Sequence, residues 1–525
     1  MTTTAMEQFA EENDLGAEHL DPHYRNDVGY ADAFAHRFEG RLKYIAEEGA
    51  WLVFDARKGW HRDTSGEVKS LQLKFAREIY RDACQRAAKM TDAKEGASII
   101  AAAARLGDKK RTAPALDFAS VNQRLVVRIT DLDADPMLLG TQNGVVNLRD
   151  GSFRGHSPEI LVTRSCACDY AAGADCPTFL RFLEEVQPEP EMRGFLQRLC
   201  GYTLTGLLGE HILPFHFGLG ANGKGTFFEQ VVFKILGNYA SKLTDSLVYL
   251  KGNGSPPHLE IAGLCGIRFA LGEENEEGGK LNEALLKKMT GGDRQKGRFH
   301  YKPFFEYEPT AKIHLVGNHK PRIGGRDDGI WRRFQLVDWA VKIPDARKDL
   351  RLWQKLQPEF AGILNWMIEG ALALGDLGTQ PPASVLVATA KFREDSDAFG
   401  DFLREKTIDD LGPAGEIPKS NLFELYKEYC AEQDIPARAK QSKRRIGFLM
   451  IERSYEEGKN AKGIRVWRGI RERKEEDNCG DLLDWTQRQE SHQTTHGSAG
   501  EDELGEKTAV ASNDEIDPYG SDDPY

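Results

Sequence analysis

Residues 213–236, LPFHFGLGANGKGTFFEQVVFKIL, constrain the fold of this chain more than any other segment. Apolar residues first alternate with others, which predicts a short strand, and after a glycine-rich stretch a helical spacing begins at Thr226. Between these two elements Gly218, Gly223 and Lys224 match the pattern G-x-x-x-x-G-K. A strand, a glycine loop and a helix in this order predict an α/β fold whose loop amides turn towards a phosphate group.

The glycine loop is predicted to hold ATP. Its glycines let successive backbone N–H groups turn inward, the following helix N-terminus adds positive potential, and the lysine reaches the outer phosphates. The loop departs from the usual pattern at Gly225, where Ser or Thr would bind Mg²⁺. In this interpretation the next residue, Thr226, supplies the hydroxyl, and a water molecule is the alternative. The predicted ATP-binding residues are Gly218, Gly220, Asn222, Gly223, Lys224, Gly225 and Thr226.

Two glutamates follow the next apolar segment. Arg268 to Leu271 suits a buried strand, and Glu273 and Glu274 come directly after it. Carboxylates at the end of a strand beside a phosphate loop can bind Mg²⁺ and orient the attacking water. We therefore assign Glu273 to Mg²⁺ and Glu274 to the general base, with a simple charged loop as the alternative.

Further along, two segments predict groups that act on the γ-phosphate. A strand from Ile313 to Val316 is followed by Asn318, which suits a phosphate sensor or else a plain Asn turn. The segment GIWRRF carries Arg332 and Arg333. An arginine beside a neighbour's γ-phosphate stabilises the charge that develops on transfer. Arg333 is the preferred candidate; Arg332 suits a salt bridge, and an exchange of the two roles stays open.

A basic stretch lies between these segments. Lys296, Arg298, His300 and Lys302 are spaced by two, which on a strand puts all four on one face. Such a stripe on a hairpin suits a passing nucleic-acid backbone, and its alternative is a solvated strand face.

Charge is distributed unevenly along the chain. The formal net charge is −12, but residues 475–525 hold 15 Asp and Glu against 2 Lys and Arg, so the remainder is almost neutral. Residues 431–474 instead carry 13 Lys and Arg against 6 Asp and Glu, which favours a nucleic-acid partner. The order of predicted helices and strands around this stretch suits a winged helix-turn-helix. Its predicted DNA-binding residues are Lys443, Arg444 and Arg445.

Other features exclude some classes of protein. No apolar run is long enough to span a membrane, and the acidic N-terminus has no signal-peptide core, so the expected location is the cytoplasm of a bacterial host. Eight scattered cysteines fit a reducing compartment. Asp131, Asp133 and Asp135 suggest a metal site, but no further catalytic pattern surrounds them, and a polar turn is the favoured interpretation.

Five motifs follow one another in the order known from superfamily 3 helicases: the glycine loop, the paired glutamates, TGGD, the strand ending in Asn, and WRR. The chain most resembles the C-terminal helicase of the phage and plasmid primase family. That family is related to the poxvirus primase-helicase. The upstream segments WLVFDARKGWHRD, DADPMLLGTQNGVVNLRDG, CPTFLRFLEEV and LQRLCGYTLTG resemble the region that accompanies these helicases. The resemblance covers roughly residues 40–345.

The resemblance implies an AAA+-type core that forms rings, usually homo-hexamers, with the active site between subunits and Arg333 supplied in trans. Single-stranded DNA would thread the central pore, gripped by the basic hairpin, with 3′ to 5′ polarity. Only about 40 residues precede the matching region, so we expect no primase domain and a separate primase, polymerase or single-strand-binding protein as partner.

The predicted fold class is α/β: an AAA+-type P-loop core with an α+β N-terminal domain and a C-terminal winged-helix module. The predicted function is an ATP-dependent DNA helicase for phage or plasmid replication. The alternatives are an initiator that binds and melts an origin, and a P-loop kinase or packaging motor. The predicted segments are a disordered leader (1–39), an N-terminal helicase-associated domain (40–178), a superfamily 3 helicase domain (179–380), a winged-helix-like domain (395–473) and a disordered acidic tail (474–525).

Overall fold

The computed structural model describes residues 26–250, 258–273, 279–323, 328–375, 378–410, 412, 415–435, 440–474 and 477. The chain divides into two compact units, with the boundary after Asp397. Almost all of the predicted acidic tail and the first 25 residues lie outside the described residues.

The N-terminal part of the first unit begins earlier than predicted. Residues from Asn26 onward do not form a disordered leader, because the Asn26 side chain accepts a hydrogen bond from the Gly29 amide and starts a helix. Tyr30 and Phe34 on this helix are fully buried against Phe75. The helices of this part are α1 (Asp27–Arg37), α2 (Glu67–Ala87), α3 (Ala93–Arg105) and α4 (Lys109–Ala119).

Two small sheets accompany these helices. Trp60 lies on a hairpin of β2 and β3, which forms the edge of a sheet in which β1 pairs antiparallel with β2 and parallel with β4. Asn143-Gly144 forms the turn between β5 and β6 of the second sheet. The strands are β1 (Leu42–Ile45), β2 (Ala50–Asp55), β3 (Gly59–Arg62), β4 (Val126–Val127), β5 (Leu138–Gly140), β6 (Val145–Asn147) and β7 (Phe153–Arg154).

The three aspartates of the 131–135 segment have separate structural roles. Asp133 accepts hydrogen bonds from the backbone and hydroxyl of Thr163, whereas Asp135 accepts two from Arg149. Asp131 accepts one from the Arg128 amide. The described residues therefore agree with the polar-turn interpretation.

A parallel five-stranded sheet forms the centre of the first unit within the described residues. Its order is β14-β8-β13-β10-β9. The strand predicted before the glycine loop is confirmed as β8, and it is buried on both faces, including Pro214 and His216, because a central parallel strand is covered by helices on each side. The strands are β8 (Leu213–Phe217), β9 (Ala240–Lys242), β10 (Phe269–Glu273), β13 (Lys312–Gly317) and β14 (Phe334–Asp338), and a separate pair is β11 (Gln295–Gly297) and β12 (Phe305–Tyr307).

Helices cover the sheet and extend beyond the predicted boundary. Residues 381–394 belong to neither predicted domain, but from Ala383 they form a helix whose Val385 and Phe392 are buried, the latter against Phe334 of β14. The helices are α5 (Pro177–Val186), α6 (Pro190–Leu204), α7 (Phe233–Leu236, preceded by the π-helical Thr226–Val232), α8 (Asp245–Val248), α9 (His258–Gly263), α10 (Glu283–Thr290), α11 (Asp328–Trp331), α12 (Leu352–Leu356), α13 (Phe360–Leu372) and α14 (Ala383–Asp395).

The second unit has its own core, in which Phe402, Leu422, Met450 and Trp467 are buried. A helix and two short strands precede two further helices, and an antiparallel strand pair and one more short strand follow them. The elements are α15 (Ala398–Lys406), β15 (Thr407–Asp409), β16 (Glu416–Pro418), α16 (Lys419–Glu432), α17 (Lys443–Ile451), β17 (Glu456–Lys459), β18 (Arg465–Arg468) and β19 (Ile470–Glu472).

Candidate nucleotide-binding site and basic surfaces

The glycine loop, residues 218–226, leaves β8 at the carboxyl edge of the parallel sheet; we call it the phosphate loop. Two of its glycines adopt left-handed backbone conformations, Gly220 at φ +97° and Gly223 at φ +82°. Gly218 is required for a different reason, because a Cβ there would lie 2.1 Å from Nδ2 of Asn222 and 2.6 Å from the Trp339 carbonyl. Asn222 in turn donates to that carbonyl, so the buried side chain fixes the curve of the loop.

Lys224 lies at the centre of this site and is buried. Its ammonium donates to the carbonyls of Gly218 and Gly317, the latter at 2.9 Å, and to the Asn318 side chain at 3.2 Å. These contacts join the phosphate loop at the end of β8 to the end of β13. The chain leaves β8 towards β9 and leaves β13 towards β14, in opposite directions, and ligands of parallel sheets bind at such a switch point.

An open cavity of about 530 Å³ lies in front of the lysine. Thr226, Glu273 and Asn318 all line it, so the structure brings together three of the side chains selected from the sequence. Glu273 forms an ion pair with Lys242, which also approaches Glu229 at 3.7 Å. The predicted general base, Glu274, lies outside the described residues.

A buried chain of polar groups, missed by the sequence interpretation, supports the phosphate loop from behind. Trp339 Nε1 donates to His216 Nδ1 at 3.4 Å, and His216 Nε2 is 3.3 Å from His314 Nδ1. His314 Nε2 lies 3.0 Å from the Thr203 hydroxyl, which donates to the Leu199 carbonyl. Because the indole can only donate, the chain assigns one proton to each imidazole, which is the neutral form.

Burial also lowers the pKa of both histidines. Desolvation is the main cause, the pKa of His314 falls to about 3, and the nearby Lys312 lowers it further. For His216 the further causes are His314 and Lys224. A signal for this pair was present in the sequence, because each histidine stands among apolar residues. His216 does so in the strand before the phosphate loop, and His314 in the strand before Asn318.

The predicted basic stripe is not a continuous strand face. β11 ends at Gly297, and residues 298–304 form a loop, so Lys296 is on a strand and Arg298, His300 and Lys302 are not. Lys296 and Arg298 lie over the Phe304 ring at 5.1 and 4.7 Å. His300 and Lys302 instead line a cavity of about 960 Å³ towards the N-terminal part. We call residues 296–304 the basic loop.

The two arginines of the WRR segment have different environments. Arg333 is 7% exposed, and its Nη1 donates to the Gly329 carbonyl at 2.6 Å within its own chain. Arg332 is exposed. Arg332 is therefore the more accessible of the two side chains, and which of them is offered to a neighbouring subunit stays a prediction.

The basic residues of the second unit lie in the first turn of α17. Lys443 and Arg444 are exposed and lie 5.8 Å from the rings of Phe423 and Phe448, respectively. Arg445 is half-buried and lies 3.7 Å from Glu452. Two of the three predicted DNA contacts are thus available to a ligand.

The first unit is therefore a mixed α/β protein with a glycine loop and a buried lysine at the switch point of a parallel sheet. Residues 31–188 match the family model described as D5 N terminal like. This match includes all of the small N-terminal sheets and α5, and it ends before β8.

Relatives are found among large DNA viruses. A protein of Acanthamoeba polyphaga mimivirus named "Putative helicase" is 27% identical over 322 residues, covering 57% of this chain and 34% of that protein. One of Frog virus 3 with the same name is 25% identical, covering 57% of this chain and 39% of its own. A "Putative primase" of African swine fever virus is 27% identical over 341 residues, with 58% and 34% covered.

The chain spans about a third of the length of the curated relatives it matches. Among solved structures, the apo C-terminal region of NrS-1 aligns with a TM-score of 0.43 and 12% identity, covering 82% of this chain and 96% of that one. The chain has a D5-type N-terminal region and is homologous to proteins named as helicases and primases of large DNA viruses. The resemblance drawn from its motifs is confirmed.

Across the part of the chain that the structure describes, every helix is too short or too polar to traverse a lipid bilayer.

Proposed function

We propose that this chain is an ATP-dependent DNA helicase of viral or plasmid genome replication, built on an AAA+-type core. The observation that carries the proposal is the contact of Lys224 with the ends of two strands, β8 and β13, in front of an open cavity. A cavity of about 530 Å³ is within the usual range of roughly 300–1,000 Å³ for small-molecule sites. The names of the relatives support a nucleic-acid substrate.

The residues present fit a nucleoside triphosphate. The left-handed glycines leave the loop amides free to face a phosphate, and Lys224 exchanges backbone carbonyls for phosphate oxygens when it turns outward. A second cavity, of about 430 Å³, adjoins the loop at Gly223 and is lined by Phe182, Ile343 and Leu352. Its apolar side chains suit the nucleoside part of the ligand.

Thr226 and Glu273, which line the same cavity, offer the oxygen ligands that Mg²⁺ prefers. Bound magnesium neutralises charge on the outer phosphates during transfer. Asn318 is within reach of the same space and positions water or the γ-phosphate through its amide. Glu274 keeps its proposed role as general base, and Arg332 takes the role of the arginine supplied by a neighbouring subunit of a homo-hexamer.

DNA is the proposed polymer. The basic loop provides four cationic or imidazole side chains next to the N-terminal part, and single-stranded DNA is its proposed ligand. A separate primase, polymerase or single-strand-binding protein is the proposed partner in replication.

The test is ATP hydrolysis by the wild type and by Lys224→Ala, each with and without single-stranded DNA. We expect DNA to stimulate the wild type and the variant to lose both basal and stimulated hydrolysis. Lys234→Ala is the matched control, because Lys234 is an exposed lysine on α7, outside the cavity. Hydrolysis that survives in Lys224→Ala, or a wild type indifferent to DNA, would contradict the motor.

A second candidate is an origin-binding initiator, and the second unit favours it. Cations in the first turn of a helix oppose the helix dipole, so Lys443, Arg444 and Arg445 are not explained by the stability of α17. A winged-helix-like unit that presents this turn to the major groove accounts for them. Tight binding to one duplex sequence, lost in Lys443→Ala/Arg444→Ala, together with weak unwinding would favour this role over processive unwinding.

A further inference from the structure

The tip of the basic loop contains a tyrosine whose position the described part of the chain does not explain. Tyr301 is fully exposed, so its ring contributes no core packing. It also has φ +59°, in the left-handed region that bulky residues avoid. An exposed aromatic ring in a strained backbone position indicates a requirement outside the protein's own stability.

The turn itself makes the strain specific to this position. The Lys302 amide donates to the Phe299 carbonyl at 3.2 Å, which closes a four-residue turn with Tyr301 at its third position. A positive φ at the third position is usually met by Gly or Asn. Glycine at this position would adopt the turn with less backbone strain. The presence of tyrosine therefore indicates that its ring has a use.

The base of the basic loop is anchored to neighbouring elements, whereas its tip is exposed to solvent. Phe299 stacks on Phe305 at 5.2 Å, the Arg298 amide donates to the His258 carbonyl, and a Cβ on Gly297 would collide with the backbone of Ala262. The backbone of the tip is therefore presented from a rigid base, and binding has mainly the side-chain rotation of the ring left to fix.

The chemistry around the ring points to one class of ligand. Residues 296–304, KGRFHYKPF, hold three aromatic rings, four basic or imidazole side chains and no carboxylate. Phe304, itself part-exposed, carries Lys296 and Arg298 over its face and the His258 ring against its edge at 5.0 Å. Aromatic rings among cations form the platform on which unpaired bases stack while phosphates are neutralised.

We propose that Tyr301 stacks on an unpaired base of single-stranded nucleic acid, so that the basic loop contacts the bases as well as the phosphates. The proposal rests on the proposed function of the basic loop as a DNA contact. A duplex offers its π-faces only at its ends, so this contact makes the loop selective for single strands.

The whole 525-residue chain is tested for binding to two labelled probes of equal length, oligothymidylate and an abasic phosphodiester strand. The variants are Tyr301→Phe, which keeps the ring, Tyr301→Leu, which keeps apolar bulk, and Tyr301→Gly, which removes the strain. We expect the Phe variant to bind oligothymidylate like the wild type and the Leu and Gly variants to bind it about tenfold more weakly. All four proteins should bind the abasic strand alike.

Melting temperature and base fluorescence separate a recognition role from a structural one. Tyr301→Gly should melt no lower than the wild type, because glycine relieves the left-handed conformation. A 2-aminopurine base in the strand should be quenched by the wild type and not by Tyr301→Leu. Lys302→Ala should weaken binding to both probes, since it removes a phosphate contact.

The outcomes distinguish two failures. A wild type that binds oligothymidylate while the Leu and Gly variants bind it equally well, or lose affinity equally for the abasic strand, overturns the stacking proposal alone. A wild type that binds neither probe overturns the DNA-contact function of the loop, and stacking with it.

Discussion

The phosphate loop and the basic loop both combine glycine with positive charge, but the protein interior fixes the first throughout and the second only at its base. Lys224 is buried and donates to carbonyls of two strands, and Asn222 ties the loop to Trp339. Tyr301, by contrast, is fully exposed at the tip of the other loop. The difference indicates that one loop is shaped before its ligand arrives, whereas the other is completed by its ligand.

The strongest test of this comparison is a single methyl group in the phosphate loop. Gly218→Ala would bring a Cβ within 2.6 Å of the Trp339 carbonyl, which is backbone and cannot rotate away. We expect at least about a 100-fold loss of affinity for a fluorescent ATP analogue, because displacement of the loop by an ångström misplaces every amide.

Gly209→Ala is the control for that substitution, since none of the described residues lies within 4 Å of the added methyl group. It should bind the analogue like the wild type and melt at the same temperature. A Gly218→Ala protein with wild-type affinity would show that the interior does not fix the phosphate loop. The contrast drawn between the two loops would then be wrong.

The same comparison explains what the sequence could predict. The glycines and Lys224 were found because a backbone turned around phosphates restricts residue type at each position. The basic stripe was predicted wrongly because spacing by two has meaning only on an extended backbone, and β11 ends at Gly297. Pro303, directly after the stripe, was the available signal, since proline is excluded from the interior of a strand ladder.

Adjacent residues were the hardest to separate. Arg332 and Arg333 have the same chemistry, and only the turn between α11 and β14 decides which side chain enters the interior.

His216 and His314 present a different difficulty, because they are far apart in the sequence. Each is a polar residue within a strand, and only the parallel register of β8 and β13 brings the two together. Long-range register of this kind is not encoded in local spacing.

The arginine pair gives the second test, in which buried and exposed groups stand next to each other. We expect Arg332→Ala to lower ATP hydrolysis about 10³-fold without changing the melting temperature, which is the scale of losing an arginine from phosphoryl transfer. Arg333→Ala should destabilise the fold by about 1–3 kcal/mol, because it removes a buried charged donor to the Gly329 carbonyl.

Mixing the variants tests whether Arg332 acts on a neighbouring subunit. Arg332→Ala and Lys224→Ala are each inactive in this scheme, but a mixed ring contains some interfaces with both groups intact. Recovery of hydrolysis on mixing supports action in trans. Hydrolysis that stays at the level of the separate variants, in rings shown to have mixed, would contradict action in trans. If Arg333→Ala lost hydrolysis and Arg332→Ala kept it, Arg333 would again be the preferred candidate.

The smallest expected effect concerns acid and the support beneath the phosphate loop. The pKa of His314 is about 3 in the folded protein because of burial, whereas an unfolded histidine has a pKa of about 6.5. As the pH falls below about 6.5 the unfolded chain takes up a proton that the folded chain refuses, so this contribution to stability is complete above that pH and is lost progressively towards pH 3. Between pH 7 and pH 5 the loss should be about 2 kcal/mol for this residue.

Denaturant unfolding at the two pH values checks this expectation for the wild type and for His314→Asn, whose amide can accept and donate in the same chain but does not titrate. The variant should be less stable than the wild type at pH 7 and should lose about 2 kcal/mol less on acidification. His36→Asn is the control, because His36 is exposed on α1, and it should follow the wild type. Equal pH dependence in wild type and His314→Asn would mean that the imidazole beneath the phosphate loop takes up its proton without unfolding, and the interior would then be less restrictive there than the contacts of Lys224 imply.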